Sequence, residues 1–85
     1  MNTELYGLAF SATLAGHVAD SGMAPVAIAW SAGLDPLRLE EIVTGVGPGA
    51  DAGELIALIA NLHVDPREFY DEALAFAEEM EALAP

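Results

Sequence analysis

An aspartate followed directly by a proline occurs twice in this chain, at Asp35-Pro36 and at Asp65-Pro66. Aspartate accepts hydrogen bonds from the unpaired N–H groups at a helix N-terminus, and proline suits the first helical position because its missing N–H would have no partner there. Pro25 gives a third start signal, without the aspartate. These signals predict a chain divided into short helices.

The spacing of apolar residues between the start signals predicts five helices. Phe69, Ala73 and Phe76, for example, recur at helical spacing near the C-terminus. Counting the cap of the fourth helix, the predicted ranges are 3–20, 25–33, 36–45, 51–63 and 66–83. The segment 46–53 is rich in Gly and Pro and is predicted to form a loop.

Two acidic pairs have the spacing of a capping box, Asp51 with Glu54 and Asp65 with Glu68. In such a box the first side chain accepts from the backbone three residues on, and the second side chain reaches back to the first residue. Asp51 and Glu54 also resemble a paired-carboxylate site, but helix capping explains them better.

The length and composition favour one all-α domain over residues 1–85, with 70–85 as an extended C-terminal helix. A chain of 85 residues has too little material for two cores, and 54% hydrophobic content argues against disorder. The absence of cysteine excludes disulfides and thiolate metal sites. We find neither a signal peptide nor a membrane span in the sequence, and we expect cytoplasmic residence.

The charge balance is strongly acidic. Arg38 and Arg67 are the only basic residues beside fourteen acids, which gives a net charge of −12 without any lysine. Such a chain repels DNA, RNA and anionic lipid over long range. Its acidity serves either solubility alone or the recognition of a basic partner.

Residues 25–45 resemble the helix-turn-helix of the phage Cro and repressor family. The positions that carry the resemblance are Ile28, Ala29, Gly33, Leu34, Leu39, Ile42 and Gly45. The pattern continues through four apolar residues of the fourth and fifth helices, Leu58, Leu62, Val64 and Phe69. The resemblance implies a compact five-helix bundle with a helix-turn-helix core and DNA readout by the start of the third helix.

The positions that read bases in this family lack the expected donors. They are occupied here by Asp35, Pro36, Leu37 and Glu41, whereas base readout commonly uses Arg, Gln or Asn. Thr44 stands where relatives often hold an Asn that contacts phosphate, and its hydroxyl retains a donor. The sequence thus predicts weak or absent DNA binding.

Arg38 is the only cation in the motif, and Asp35, Glu40 and Glu41 surround it in the sequence. A typical duplex-binding protein makes about 6–10 phosphate contacts. One protomer of this chain is expected to make about one such contact, so ordinary DNA binding should be lost.

Val18 and Val43 stand where many members of the family pair an Arg with a Glu. Well-packed apolar residues can replace a buried ion pair at little cost, whereas the loss of one partner alone is expensive. Both positions are apolar here, so we predict that the two side chains touch.

Two apolar surfaces are candidates for partner binding. Val26, Trp30 and Leu37 occupy outward positions, although Trp30 alternatively folds over a neighbouring helix. The outward positions of the motif that correspond to DNA contacts in the family complete this candidate partner-binding set: Asp35, Pro36, Arg38, Glu41 and Thr44. The stripe on the last helix is a candidate homodimer contact, although it alternatively packs on the first helix of its own chain. Its members are Ala73, Phe76, Ala77, Met80 and Leu83.

Nothing in the sequence supports an enzyme, a cofactor or a metal site. His17 and His63 lack ligand spacing, and the acidic run 78–81 lacks the alternating acids and glycine of a calcium loop. The leading hypothesis is a regulatory protein of the antirepressor or co-regulator kind, which binds a basic DNA-binding protein. The alternatives are a transcription regulator that binds DNA as a dimer or beside a basic partner, and an oligomerisation domain.

Overall fold

The computed structural model describes residues 3–83, which form five helices. They are α1 Thr3–Asp20, α2 Pro25–Ser31, α3 Pro36–Thr44, α4 Ala52–Asn61 and α5 Pro66–Leu83. The predicted all-α fold with five helices is confirmed. The C-terminal ends of α2 and α4 fall two residues short of the prediction, and that of α3 falls one residue short. Within the described range, no helix has both the length and the apolar character needed to cross a bilayer.

Aspartate side chains cap three of the helices as predicted. Asp35 Oδ1 accepts from Leu37 N at 2.8 Å, and Asp65 Oδ1 accepts from Arg67 N at 2.8 Å. At α4 the full capping box is present, because Glu54 N donates to Asp51 Oδ1 at 2.8 Å while Asp51 N donates to Glu54 Oε1 at 3.1 Å. These contacts satisfy helix N–H groups that otherwise lack a partner.

The turn between α2 and α3 is tight and is closed by the backbone. Leu34 N donates to Ala29 O at 2.8 Å, and Gly33 adopts a positive φ of 75° that side chains disfavour. Gly45 ends α3 in the same left-handed region, with a φ of 74°. This arrangement is compatible with the predicted helix-turn-helix.

The core lies between the five helices, each of which contributes at least one buried side chain to it. Its largest fully buried side chains are Phe69, Leu14, Ile28, Leu39, Ile42 and Leu58. Val18 is buried in the same cluster, and Val43 packs against that cluster. This placement is consistent with the predicted contact between the two valines.

The C-terminal stripe is only partly available to a second copy of the chain. Ala73 and Ala77 are fully buried on α5, whose most extensive contact is with α1. The prediction that these two residues contact a second copy was therefore wrong. Their small side chains instead let α5 pack closely on α1 of its own chain. Phe76, Met80 and Leu83 keep exposed surface, so dimerisation through them stays a prediction.

Two apolar residues of α4 should differ sharply in their effect on stability. Leu58 is fully buried and Ile56 is exposed. We expect Leu58→Ala to lower the free energy of unfolding by about 2–5 kcal/mol, because it removes buried methyl groups and leaves a cavity. Ile56→Ala should change it by less than about 0.5 kcal/mol in urea denaturation. Equal effects would contradict the packing of α4.

Candidate functional site

The outward side of α2 and α3 carries large apolar side chains in solvent. Trp30 is 69% exposed, Leu37 is 70% exposed and Val26 is 45% exposed. Val26 and Trp30 are four residues apart on α2 and so lie on the same side of that helix. The alternative in which Trp30 is half buried on a neighbouring helix does not hold in this fold.

A groove of about 500 Å³ lies between the end of α1, the start of α2 and one side of α3, and Val26 is part of its wall. Its lining is apolar apart from one carboxylate, and comprises Val18, Ala24, Pro25, Val26, Pro36, Leu39, Glu40 and Val43. Val18 and Val43 are therefore both part of one apolar wall. We call this groove, together with Trp30 and Leu37, the α2–α3 surface.

Arg38 is held by the N-terminus of α4 instead of facing outward. Its Nε and Nη2 donate to the two carboxylate oxygens of Glu54, each at 2.7 Å. Its Nη1 and Nη2 donate to the carbonyl oxygens of Pro48 and Gly49, each at 3.0 Å. Four of the five N–H donors of the guanidinium are therefore used within the chain.

The sequence neighbours of Arg38 are not its partners. Asp35, Glu40 and Glu41 were expected to surround it, yet the side chain turns across the loop to a carboxylate sixteen residues away. The cause is geometric, because a fork of two parallel N–H donors matches a carboxylate held rigidly by its own capping box. Arg38, only 23% exposed, was wrong as an outward-facing residue.

The Arg38–Glu54 ion pair, which we call the clamp, favours the ionised form of both groups. Hydrogen bonds from Arg38 and from the backbone of Asp51 lower the pKa of Glu54 from 4.5 to about 2. The bond to Glu54 in turn raises the pKa of Arg38. Both groups therefore stay ionised at neutral pH.

At the remaining positions that the resemblance expects to face DNA, the side chains form hydrogen bonds within the chain, lack a donor or are acidic. The Thr44 hydroxyl donates to Glu40 O at 2.7 Å, so the donor expected to be available there is already used. Asp35 accepts from the backbone as the cap of α3, and Pro36 occupies the first helical turn. Glu41 is exposed and offers only an acceptor.

The two histidines do not form a site. His17 Nε2 lies 3.1 Å from Glu72 Oε1, which links α1 to α5. His63 follows α4 with a positive φ of 57°. Within residues 3–83, no group of three or more His, Asp and Glu side chains is arranged to hold a metal ion.

Comparisons of the chain with protein-family models, with curated proteins and with solved structures found no match. The likeness to repressors therefore rests on the sequence pattern at residues 25–45, with which the geometry of α2 and α3 is compatible.

Replacing Glu54 with Gln should expose the contribution of the clamp to stability. Glutamine preserves the capping box but removes the charge that Arg38 binds. Because the pKa of Glu54 is lower in the folded chain, its ionised form stabilises the fold fully above about pH 4.5, and that contribution is lost as the pH falls toward 2. We expect Glu54→Gln to melt at a lower temperature than the wild type at pH 7.

The difference in melting temperature between wild type and Glu54→Gln should shrink as the pH falls from 4.5 toward 2. Glu79→Gln, on the exposed part of α5, is the matched control because it removes the same charge without touching Arg38. This control also corrects the melting temperature for the reduced repulsion among acidic side chains when one negative charge is removed. A difference that does not depend on pH would argue against the clamp.

Proposed function

We propose that this chain is a small acidic regulatory module that binds a basic protein instead of reading DNA. Its scaffold is repressor-like, and it acts as an antirepressor or co-regulator does, by occupying a DNA-binding protein. The observation that carries the proposal is the engagement of Arg38 by Glu54 and the 46–51 loop, which takes the only cation of the motif away from the outward face. Such a partner implies a cytoplasmic location.

The charges argue against DNA as the main ligand. Affinity for a duplex depends on phosphates neutralised by Lys and Arg, at about 6–10 contacts for a typical protein. The sequence contains two arginines, of which Arg38 is engaged and Arg67 belongs to α5, away from the motif. Fourteen acids oppose them, so approach to a phosphate backbone is repulsive.

The α2–α3 surface has the composition of a protein-binding site. Tryptophan is enriched among the residues that dominate binding energy, and Trp30 stands in solvent on α2, whose first turn borders the apolar groove. Asp35, Glu40 and Glu41 are exposed around these apolar groups. Carboxylates around an apolar centre favour a basic partner and accelerate its association.

A titration against mixed-sequence duplex DNA at low salt distinguishes this proposal from a DNA-binding dimer. We expect no binding at micromolar protein, because the chain has almost no cations with which to displace counterions. Salt-sensitive binding in that range would contradict the proposal and favour the dimeric DNA-binding regulator. Fluorescence anisotropy of a labelled duplex is a suitable measurement.

A variant of the α2–α3 surface should lose its protein partner. Trp30→Ala combined with Leu37→Ala removes two exposed apolar anchors without disturbing the core. We expect affinity capture from the native cell extract to retain a basic protein on the wild type and to lose it on the double variant. The purified pair should then bind less tightly by about tenfold or more.

Ile56→Ala is the matched control, because Ile56 is an equally exposed aliphatic residue on a different helix. It should bind the partner like the wild type. Trp30 also reports directly on binding, since it is the only tryptophan of the chain and its fluorescence should shift to the blue when the surface is covered. Equal affinity of the double variant and the control would exclude the α2–α3 surface.

A further inference from the structure

A second concave site borders α3 on a face adjacent to the α2–α3 groove and shares no lining residue with that groove. It is a cavity of about 170 Å³ between the first half of α1, the C-terminal half of α3, the loop that follows α3 and the start of α4. Its apolar walls are Phe10, Leu14, Ile42 and Leu55, and Tyr6 and Ser11 add hydroxyl groups. Protein interiors are normally close-packed, so an opening that reaches the buried Leu14 and Ile42 is a distinctive feature.

Two features keep this cavity open. Gly7 contributes no side chain to its wall, and a Cβ atom built there would meet no atom within 4 Å. Gly49 and Ala50 form another part of the wall, and the carbonyl of Gly49 is held at 3.0 Å by Arg38. This hydrogen bond ties the loop to α3 and α4. It therefore limits how far the loop can move toward α1 and close the cavity.

We infer that this cavity binds a small neutral aromatic molecule with a single ring. An apolar cavity of about 150 Å³ is large enough to admit benzene. The cavity of this chain is slightly larger, and the rings of Phe10 and Tyr6 in its wall offer their faces and edges for aromatic packing. This inference stands independently of the proposed partner binding.

The chemistry of the lining selects against charged ligands. Among the residues that the structure describes, those that line the cavity carry no ionisable acid or base other than the phenol of Tyr6. An ion buried there would lose its hydration without a counter-charge, at a large cost. The hydroxyls of Tyr6 and Ser11 can instead hydrogen-bond one neutral polar group, so a phenol fits better than a carboxylate.

A titration with phenol, followed by ¹H–¹⁵N correlation spectra, tests the inference. We expect saturable shifts at the amides of Ile42, Gly49 and Ala50, with a Kd of about 1 mM for so small a probe. Benzoate, a charged ring of similar width, should bind less tightly by about tenfold or more. Equal affinity for benzoate, or shifts that spread over the surface without saturating, would overturn the inference.

Two glycine substitutions on α1 locate the site. Gly7→Leu should fill the cavity and weaken phenol binding by about tenfold or more. Gly16→Leu is the matched control, since Gly16 is also an exposed helical glycine with open space around its Cβ position but borders the α1–α5 groove instead. Both substitutions favour the helix, so both variants should fold. Unchanged phenol affinity in Gly7→Leu would exclude this cavity as the site.

Discussion

The contact between Arg38 and Glu54 joins three parts of the fold that the chain would otherwise leave loosely connected. It ties α3 to the first turn of α4, and the same guanidinium holds the carbonyls of Pro48 and Gly49 in the loop between them. A single cation thus fixes the path of a Gly-rich segment that has little apolar surface to bury. The consequence for function is direct, because a guanidinium engaged on four of its five donors has only one left for a phosphate.

Some of the acidic residues of the chain stabilise its fold. Asp35, Asp51 and Asp65 each cap a helix, where the partial positive charge of the N-terminus favours a carboxylate. Glu54 completes a box and binds Arg38. Apart from Glu72, which contacts His17, the exposed acids of α5 make no such contact among those described, and they add to the negative field that a partner meets at a distance.

Local features of this fold could be predicted from the sequence, whereas features that depend on chain path could not. Capping by Asp51 is decided within four residues, and it was predicted correctly. The partner of Arg38 depends on how the 46–51 loop turns, which no sequence spacing encodes. Helical periodicity identified Ala73 and Ala77 as members of a buried face, but periodicity does not say whether the covering helix belongs to the same chain. The cavity beside Gly7 depends on both the missing side chain and the loop.

The two concave sites share one helix, and this limits how they can influence each other. Leu39 and Val43 of α3 line the α2–α3 groove, while Ile42 between them lines the cavity on an adjacent face of the helix. A ligand in the cavity changes the affinity for a partner only if α3 can adopt two positions and the ligand binds more tightly to one of them than to the other. The Arg38 clamp opposes movement of α3 relative to α4, so strong coupling between the sites would require that clamp to open. With the clamp closed, the cavity and the α2–α3 surface should act independently, and a Glu54 variant is where coupling between them should first appear.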